Sequence, residues 1–570
     1  MKRGKYILII ILIFVVLFLA AIFSFVYYEF RRPPSVKTDS YLEINLSGEI
    51  LDRSVPDFFM SLFLGRQPLG VHNLLMNIRK AKVDRRIDSL LIRLAYLECG
   101  WGKISELREA ILDFRKSGKK AYAYIEEIPE PDKEYYLATA CDQIILHPVG
   151  NLNINGIGGY HPYLKKALAK LGIEAESEHV EEYKTAFNMF TEEGFTKAEK
   201  EMMESIYGDF FSHYVKTVAQ TRGKSEEDVK KLLDHGFFHG EEALKAGLVD
   251  DLLYLDEVEE LLKGEKKKIN KIALPLYSKI KPSSLGLDRG KRIALIYGMG
   301  PIHTGSSYYQ TIGSETVARW IKKARENKSI DAVVFRVDSP GGSAVGSDVI
   351  WKEVVMTKKE KPFVVSMSDV AGSGGYWISM AANKIVAQSQ TLTGSIGVIF
   401  GKFNMAAFYK KLGITYEKLT YGEKADIYSS FRSLTPEERK LIKKEILWIY
   451  DQFLAKVASG RDMTKEEVDK IGKGRVWTGN QAKDLGLVDE IGGLSKAIDL
   501  AKELAGIPVD EEVKLVIWPK RVSFWQSLFG KMGAKTELIA HRNLEKTISL
   551  LKLLERNNVW ALMPLAIEPE

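Results

Sequence analysis

VVFRVDSPGGSAVGSDVI, residues 333 to 350, decides the fold. An apolar, β-branched run leads into Ser339, Pro340, Gly341 and Gly342, and a helical pattern follows, so the stretch reads as a buried strand, a tight turn and a helix. The glycines allow backbone conformations that leave N–H groups pointing outward, and the helix start adds partial positive charge. Such a turn suits an anion or a developing oxyanion, although a purely structural turn looks the same. Working outward, RIALIYG (292–298) and KPFVVSM (361–367) are further strands, and SDVIWKEVVMTKK (347–359) is a helix between two of them. YLEINL (41–46), IDSLLIRL (87–94), KISELREAILDFRKSG (103–118) and KKAYAYI (119–125) alternate in the same way. The spacing predicts an α/β protein built from βαβ units on a largely parallel, buried sheet.

The pattern occurs twice. A shift of 241 residues lays LATACDQII (137–145) on ISMAANKIV (378–386), Gly156 on Gly397, and Leu171, Gly172, Ile173 on Leu412, Gly413, Ile414. A shift of 239 lays GEEALKAGLVDDL (240–252) on GNQAKDLGLVDEI (479–491). A period this long marks a duplicated domain, because solenoid units are far shorter. The boundaries read as a cytoplasmic tip and anchor at 1–36, a first repeat at 37–263, a Lys-rich linker at 264–291, a second repeat at 292–510, and an extension at 511–570 to which only packing or assembly is assigned.

The 570 residues have the composition of an ordinary globular protein, and the net charge of +7 is spread along the chain. There is no basic tract interleaved with aromatics, so no nucleic-acid partner is indicated. Nine histidines without ligand spacing indicate no metal. Residues 6–28, YILIIILIFVVLFLAAIFSFVYY, form an uncharged run of 23. At about 1.5 Å per residue it spans a hydrocarbon core of roughly 30 Å as one transmembrane helix. Lys2, Arg3 and Lys5 precede it. The positive-inside rule then puts the N-terminus in the cytoplasm and the rest outside; the expected location is a single pass in the inner (cytoplasmic) membrane with the bulk of the chain extracytoplasmic or periplasmic. A cleaved signal peptide is the rival, but the run is long and no clear A-x-A site follows. Cys99 and Cys141 are the only cysteines. Cys141 reads as a small buried residue, and a disulfide between the two is left open by sequence separation alone. The aromatic tracts PDFFMSLFLG (56–65) and VSFWQSLFGKMG (522–533) read as packing segments or as contacts with membrane or subunit.

A second strand-turn-helix, FVVSMSDVAGSGGYWISMAA (363–382), brackets Ser373 with glycines. A serine at such a turn exposes its hydroxyl, and the N–H of Gly374 can join the oxyanion site. The motif departs from G-x-S-x-G and no histidine lies nearby in sequence, so the base must be another residue. A lysine is normally protonated up to a pKa of about 10.4, and burial can lower that by several units, leaving an amine base. The first copy has Asp132 where the second has Ser373, and the second has Ala425 where the first has Lys184, in EEYKTAFNMF (181–190). Each copy has lost what the other kept. That complementary loss singles out Lys184 among dozens of lysines. Lys424, one position from the matched site, is the alternative base, since a bulge can absorb a one-residue offset.

DSPGGS, AGSGGYWIS and LTGSIGV (392–398), with a YK-type lysine in the preceding repeat, resemble the long, tandem form of signal peptide peptidase A, a membrane-anchored Ser-Lys protease family. The resemblance covers about residues 39–510 and the anchor. It implies tandem ClpP/crotonase-like domains, Ser373 as nucleophile, Lys184 as general base, and Ser395 as the residue orienting that lysine. It also implies an oxyanion hole from Gly341 or Gly342 with Gly374, no cofactor, apolar peptide substrates such as cleaved signal peptides, and a homotetramer on the membrane. Asp338 departs from the asparagine common among relatives. Two other classes fit less well: an acyl-thioester enzyme, and a catalytically dead, membrane-anchored binding or scaffolding protein.

Overall fold

The computed structural model describes residues 34–53, 69–129, 131–308, 310–519 and 559–563, together with Phe14 and Phe18. The expected anchor at 6–28 otherwise lies outside these residues, as do both aromatic tracts. Among the described residues no helix is long and apolar enough to cross a membrane.

The first repeat builds one parallel sheet. β1 (Ser40–Leu51), β2 (Ile87–Glu98), β3 (Lys120–Ile125) and β4 (Gln143–Leu146) lie side by side in that order. Strands 270–273 and 251–252 flank them, all parallel. Helix α1 (Trp101–Arg115) follows β2 and α2 (Asp132–Ala138) follows β3. β5 (Glu174–His179) leaves this sheet altogether, and α3 (Lys197–Arg222) buries Met202, Ile206, Phe210 and Tyr214 in the first repeat's core.

The second repeat repeats the plan. β6 (Lys291–Met299), β7 (Ala332–Ser339) and β9 (Phe363–Gly372) are parallel neighbours, with β8 (Gly341–Ser343) turned out of the sheet between the last two. α4 (Ala344–Lys358) and α5 (Gly374–Trp377) follow β8 and β9, and α6 (Pro436–Arg461) matches α3 at the shift of 239. Thr196 and Thr435 cap these two 26-residue helices by accepting from Glu199 N and Glu438 N. The strands are apolar on both faces because helices cover both, which accounts for their unbroken Val and Ile runs.

A third sheet joins the repeats. Its order is 312–313, 302–303, β8, β11 (Val559–Leu562), β10 (Ile399–Asn404) and β5. β5 of the first repeat pairs antiparallel with β10 of the second, from Ile399 opposite His179 to Asn404 opposite Glu174. Two segment readings change here. Residues 264–291, expected as a linker, contain strand 270–273 paired with β1 and a helical turn at 274–277, because their apolar residues complete the first core. Strand 513–518 pairs with β6, so the second sheet runs past residue 510. Cys99 and Cys141 are free thiols, and Cys141 is buried.

Where the repeats meet, charge is buried. Arg336 in β7 is 1% exposed and donates to Asp52 (2.7 Å), Glu106 (2.6 Å), Ser366 (2.8 Å) and Ser368 (3.0 Å). Both carboxylates come from the first repeat. Arg336→Met leaves them uncompensated in the interior and is expected to cost about 3–5 kcal/mol, read from denaturant unfolding of the otherwise intact chain.

Candidate active site

Ser373 stands at the junction of β9 and α5 with φ 56° and ψ −113°, a conformation that side-chain-bearing residues rarely adopt. Its N–H donates to the Gly394 carbonyl at 2.8 Å, which fixes the turn. Gly374 follows at a point where a Cβ would lie 3.1 Å from both Gly341 Cα and Gly342 N, so the two glycine turns are in contact. The Gly341 amide donates to Ser339 Oγ at 3.2 Å. Gly341 and Gly342 have φ 102° and 148°, which only glycine accepts readily.

Lys184 arrives from the other repeat. β5 crosses to β10, Val180 N donates to Val398 O at 3.0 Å, and the chain then turns at Glu181 to aim Lys184 inward. Its Nζ lies 2.9 Å from Ser373 Oγ, 2.9 Å from Ser395 Oγ and 2.9 Å from the Ser395 carbonyl oxygen. All three residues are wholly buried. A neutral amine has two N–H bonds and one lone pair, and this triad of oxygens accommodates all three: two donations to Ser395 and one acceptance from the Ser373 hydroxyl. Burial holds the Lys184 amine well below the usual lysine range, and it is the sole cause of that shift. Ser395 is held in turn, with φ 49° and its N–H donating to Arg475 O at 2.7 Å.

The chain belongs to peptidase family S49. The family's model matches residues 113–269 and 356–508, one segment in each repeat. The chain is 36% identical to "Serine protease SPPA, chloroplastic" of Arabidopsis thaliana over 84% of this chain and 71% of that protein. It is 30% identical to "Protease 4" of Haemophilus influenzae over 94% and 91%, and 33% identical to "Protease 4" of Salmonella typhi over 81% and 78%. This S49 peptidase is a serine protease hydrolase of the long, tandem signal peptide peptidase A form, with a mixed α/β fold. Among solved structures, ClpP1 from Listeria monocytogenes aligns over 35% of this chain and 89% of its own at 17% identity, TM-score 0.23.

Within this S49 peptidase the sequence-predicted residues Ser373, Lys184, Ser395, Gly341, Gly342 and Gly374 converge. Lys424 does not. It is exposed in the segment 412–431, which forms no strand, whereas the matching stretch of the first repeat is β5. The first repeat's own site is filled differently: Asp132 accepts from Asn155 N and Gly156 N, both at 3.2 Å, so a fixed carboxylate stands where the second repeat has its serine.

Sequence reading passed over Gly474. With φ 85°, it lies where a Cβ would come 2.6 Å from Lys184 Cα, and its amide donates to Ile396 O at 2.8 Å. The signal was the spaced glycines of KIGKGR (470–475), which alone look like any loop. It also passed over Asp52 and Asp369, charged residues at or in apolar strands, and Lys103 and Glu106, which look like ordinary charges of helix α1.

The lowered Lys184 value has a linkage consequence. Between the folded value and the unfolded value of about 10.4, the unfolded chain binds a proton that the folded chain does not, so wild-type stability rises with pH. Lys184→Met is therefore expected to melt above wild type at pH 7, the gap narrowing by up to about 1.4 kcal/mol per pH unit towards pH 10. A gap that stays constant from pH 7 to 9.5 shows instead that the amine is charged in the fold.

Proposed function

We propose that the protein is a membrane-anchored serine endopeptidase that hydrolyses apolar peptides, remnant signal peptides above all, with a Ser-Lys dyad split across the repeats. The observation that carries this is the 2.9 Å approach of a desolvated Lys184 Nζ to Ser373 Oγ. Lys184 takes the Ser373 proton as Oγ attacks the peptide carbonyl, and the oxyanion settles against the amides of Gly374 and the Gly341–Gly342 turn. The lysine ammonium then protonates the leaving amine, giving an acyl-enzyme, and Lys184 activates the water that releases the acid. Ser395 holds the amine through two acceptors, so its lone pair stays on the nucleophile.

The substrate path is suggested by β11. This segment runs antiparallel to β8 on one side and β10 on the other, with Met563 N donating to Pro340 O at 2.8 Å. The buried Met563 side chain rests on Gly372, one residue before Ser373. An extended peptide can add to the same two edges, its backbone supplying affinity and apolar pockets supplying preference. The uncharged run at 6–28 supports anchoring in the inner membrane with the site outside; the homotetramer rests on the family resemblance.

Cleavage of a fluorogenic apolar peptide by the full chain in detergent tests the dyad. Ser373→Ala and Lys184→Ala, each folded, are expected to lose about 10³-fold or more in kcat/KM, while Lys424→Ala keeps wild-type turnover. Full activity in Ser373→Ala refutes the reading. Wild-type kcat/KM should rise with pH through the lowered Lys184 value, because only the neutral amine can accept the proton. A chain ending at Asn558 is expected to cleave the same peptide with a lower KM than the full chain if β11 and substrate share the slot; an unchanged KM places the substrate elsewhere.

A further inference from the structure

The shift of 241 that carries β2 onto β7 also carries Gly100 onto Gly341, so the turn Gly100–Lys103 is the first repeat's counterpart of the oxyanion turn. It holds an anion already. The Asp369 carboxylate of the second repeat accepts from Gly100 N at 3.0 Å and from Lys103 N at 2.7 Å, and it also receives Lys103 Nζ. A Cβ on Gly100 would lie 2.5 Å from Asp369 Cγ, and one on Gly102 would lie 2.8 Å from Ser368 O, so both glycines are needed for this approach. Lys103 Nζ donates to Asp338 Oδ2 as well, at 2.7 Å, and stands 3.8 Å from Asp52 Oδ2.

Asp338 and Asp369 occupy one irregularity in the second sheet. Val337 pairs with Met367 but Ser339 pairs with Ala371, so Ser368, Asp369 and Val370 bulge opposite Asp338 alone. Asp338 Oδ1 closes the bulge by accepting from Val370 N at 3.1 Å. Beyond the bulge, β7 continues into Pro340 and the Gly341–Gly342 turn, and β9 continues through Gly372 into Ser373. Bulges beside active sites re-aim strand ends, and the cation pinning this one comes from the other repeat. Burial would by itself lower the Lys103 amine, but Asp338, Asp369 and Asp52 raise it well above the usual range, so the two buried lysines are pushed in opposite directions.

We propose that Lys103 is a positioning residue for the reaction at Ser373: by bridging Asp338 and Asp369 it sets the distance between the strand end that carries the nucleophile and the strand end that carries the oxyanion amides. This rests on the acyl-transfer reading above. The Gly100–Lys103 turn acts through a carboxylate rather than through substrate.

The test uses the full chain in detergent. Lys103→Met alone strands buried carboxylates, so it is combined with Asp338→Asn, which removes one charge of each sign and keeps an acceptor for Val370 N. The folded double variant is expected to lose about 10- to 100-fold in kcat, since a displacement near 1 Å costs that much, with KM within about twofold. The pH at which kcat/KM rises is expected to stay at the wild-type value, because the Lys184 environment is untouched. Lys103→Arg, which keeps the charge on a longer, planar group, is expected to lower kcat in the same manner and carries the test if the double variant does not fold. A kcat within twofold of wild type in the folded variant, or a loss confined to KM, overturns the positioning role. Ser373→Ala in the same assay separates the failures: an active Ser373→Ala sinks the acyl-transfer reading itself, while an inactive one beside fully active Lys103 variants sinks only this inference.

Discussion

A primary amine buried away from solvent, with no carboxylate against it among the described residues, is the constraint on which this site depends. Lys184 is wholly buried, its Nζ is surrounded at 2.9 Å by three serine oxygens, and none of them carries charge. Removing the ammonium's hydration penalises the charged form and pushes the amine well below the usual lysine range. Lys103, also buried, goes the opposite way because three aspartates surround it. Two buried lysines in one chain thus differ chiefly by their charged neighbours. Burial pushes one towards the neutral amine, and the aspartates hold the other towards the cation.

The amine can be kept dry only because the repeats interlock. β5 pairs with β10 over six residues, and that pairing delivers Lys184 into the second repeat's interior. Arg336 ties β7 to Asp52 and Glu106 of the first repeat, and the Glu106 carboxylate accepts from Leu494 N at 2.5 Å. Removing one member of such a network leaves its partners as uncompensated buried charge, which ties the two halves together through these contacts. Each repeat therefore depends on the other for geometry as well as for a side chain.

Duplication also explains what each half no longer holds. Asp132 fills the first repeat's serine position with a carboxylate clamped by two backbone amides, and Gly100–Lys103 receives Asp369. In the second repeat, the stretch matching β5 forms no strand, β10 being paired with β5 and β11, and Lys424 is exposed. In both places the turn amides require acceptors, and these carboxylates supply them.

By itself the sequence determined the α/β class, the two repeats and the short-range chemistry. Apolar β-branched runs and spaced glycines are local signals, and the strand-turn-helix at Ser373 reports its own geometry. Complementary loss between Ser373 and Lys184 made even the split pair legible, because duplication supplies an internal comparison. What only the tertiary structure decided were contacts between residues hundreds of positions apart: the exposure of Lys424, the packing of Gly474 on Lys184, the tail strand beside Gly341, and the carboxylates around Lys103. Periodicity reports which face of an element is apolar, whereas the charge state of a buried lysine depends on which distant side chains fold against it, and no local pattern encodes that.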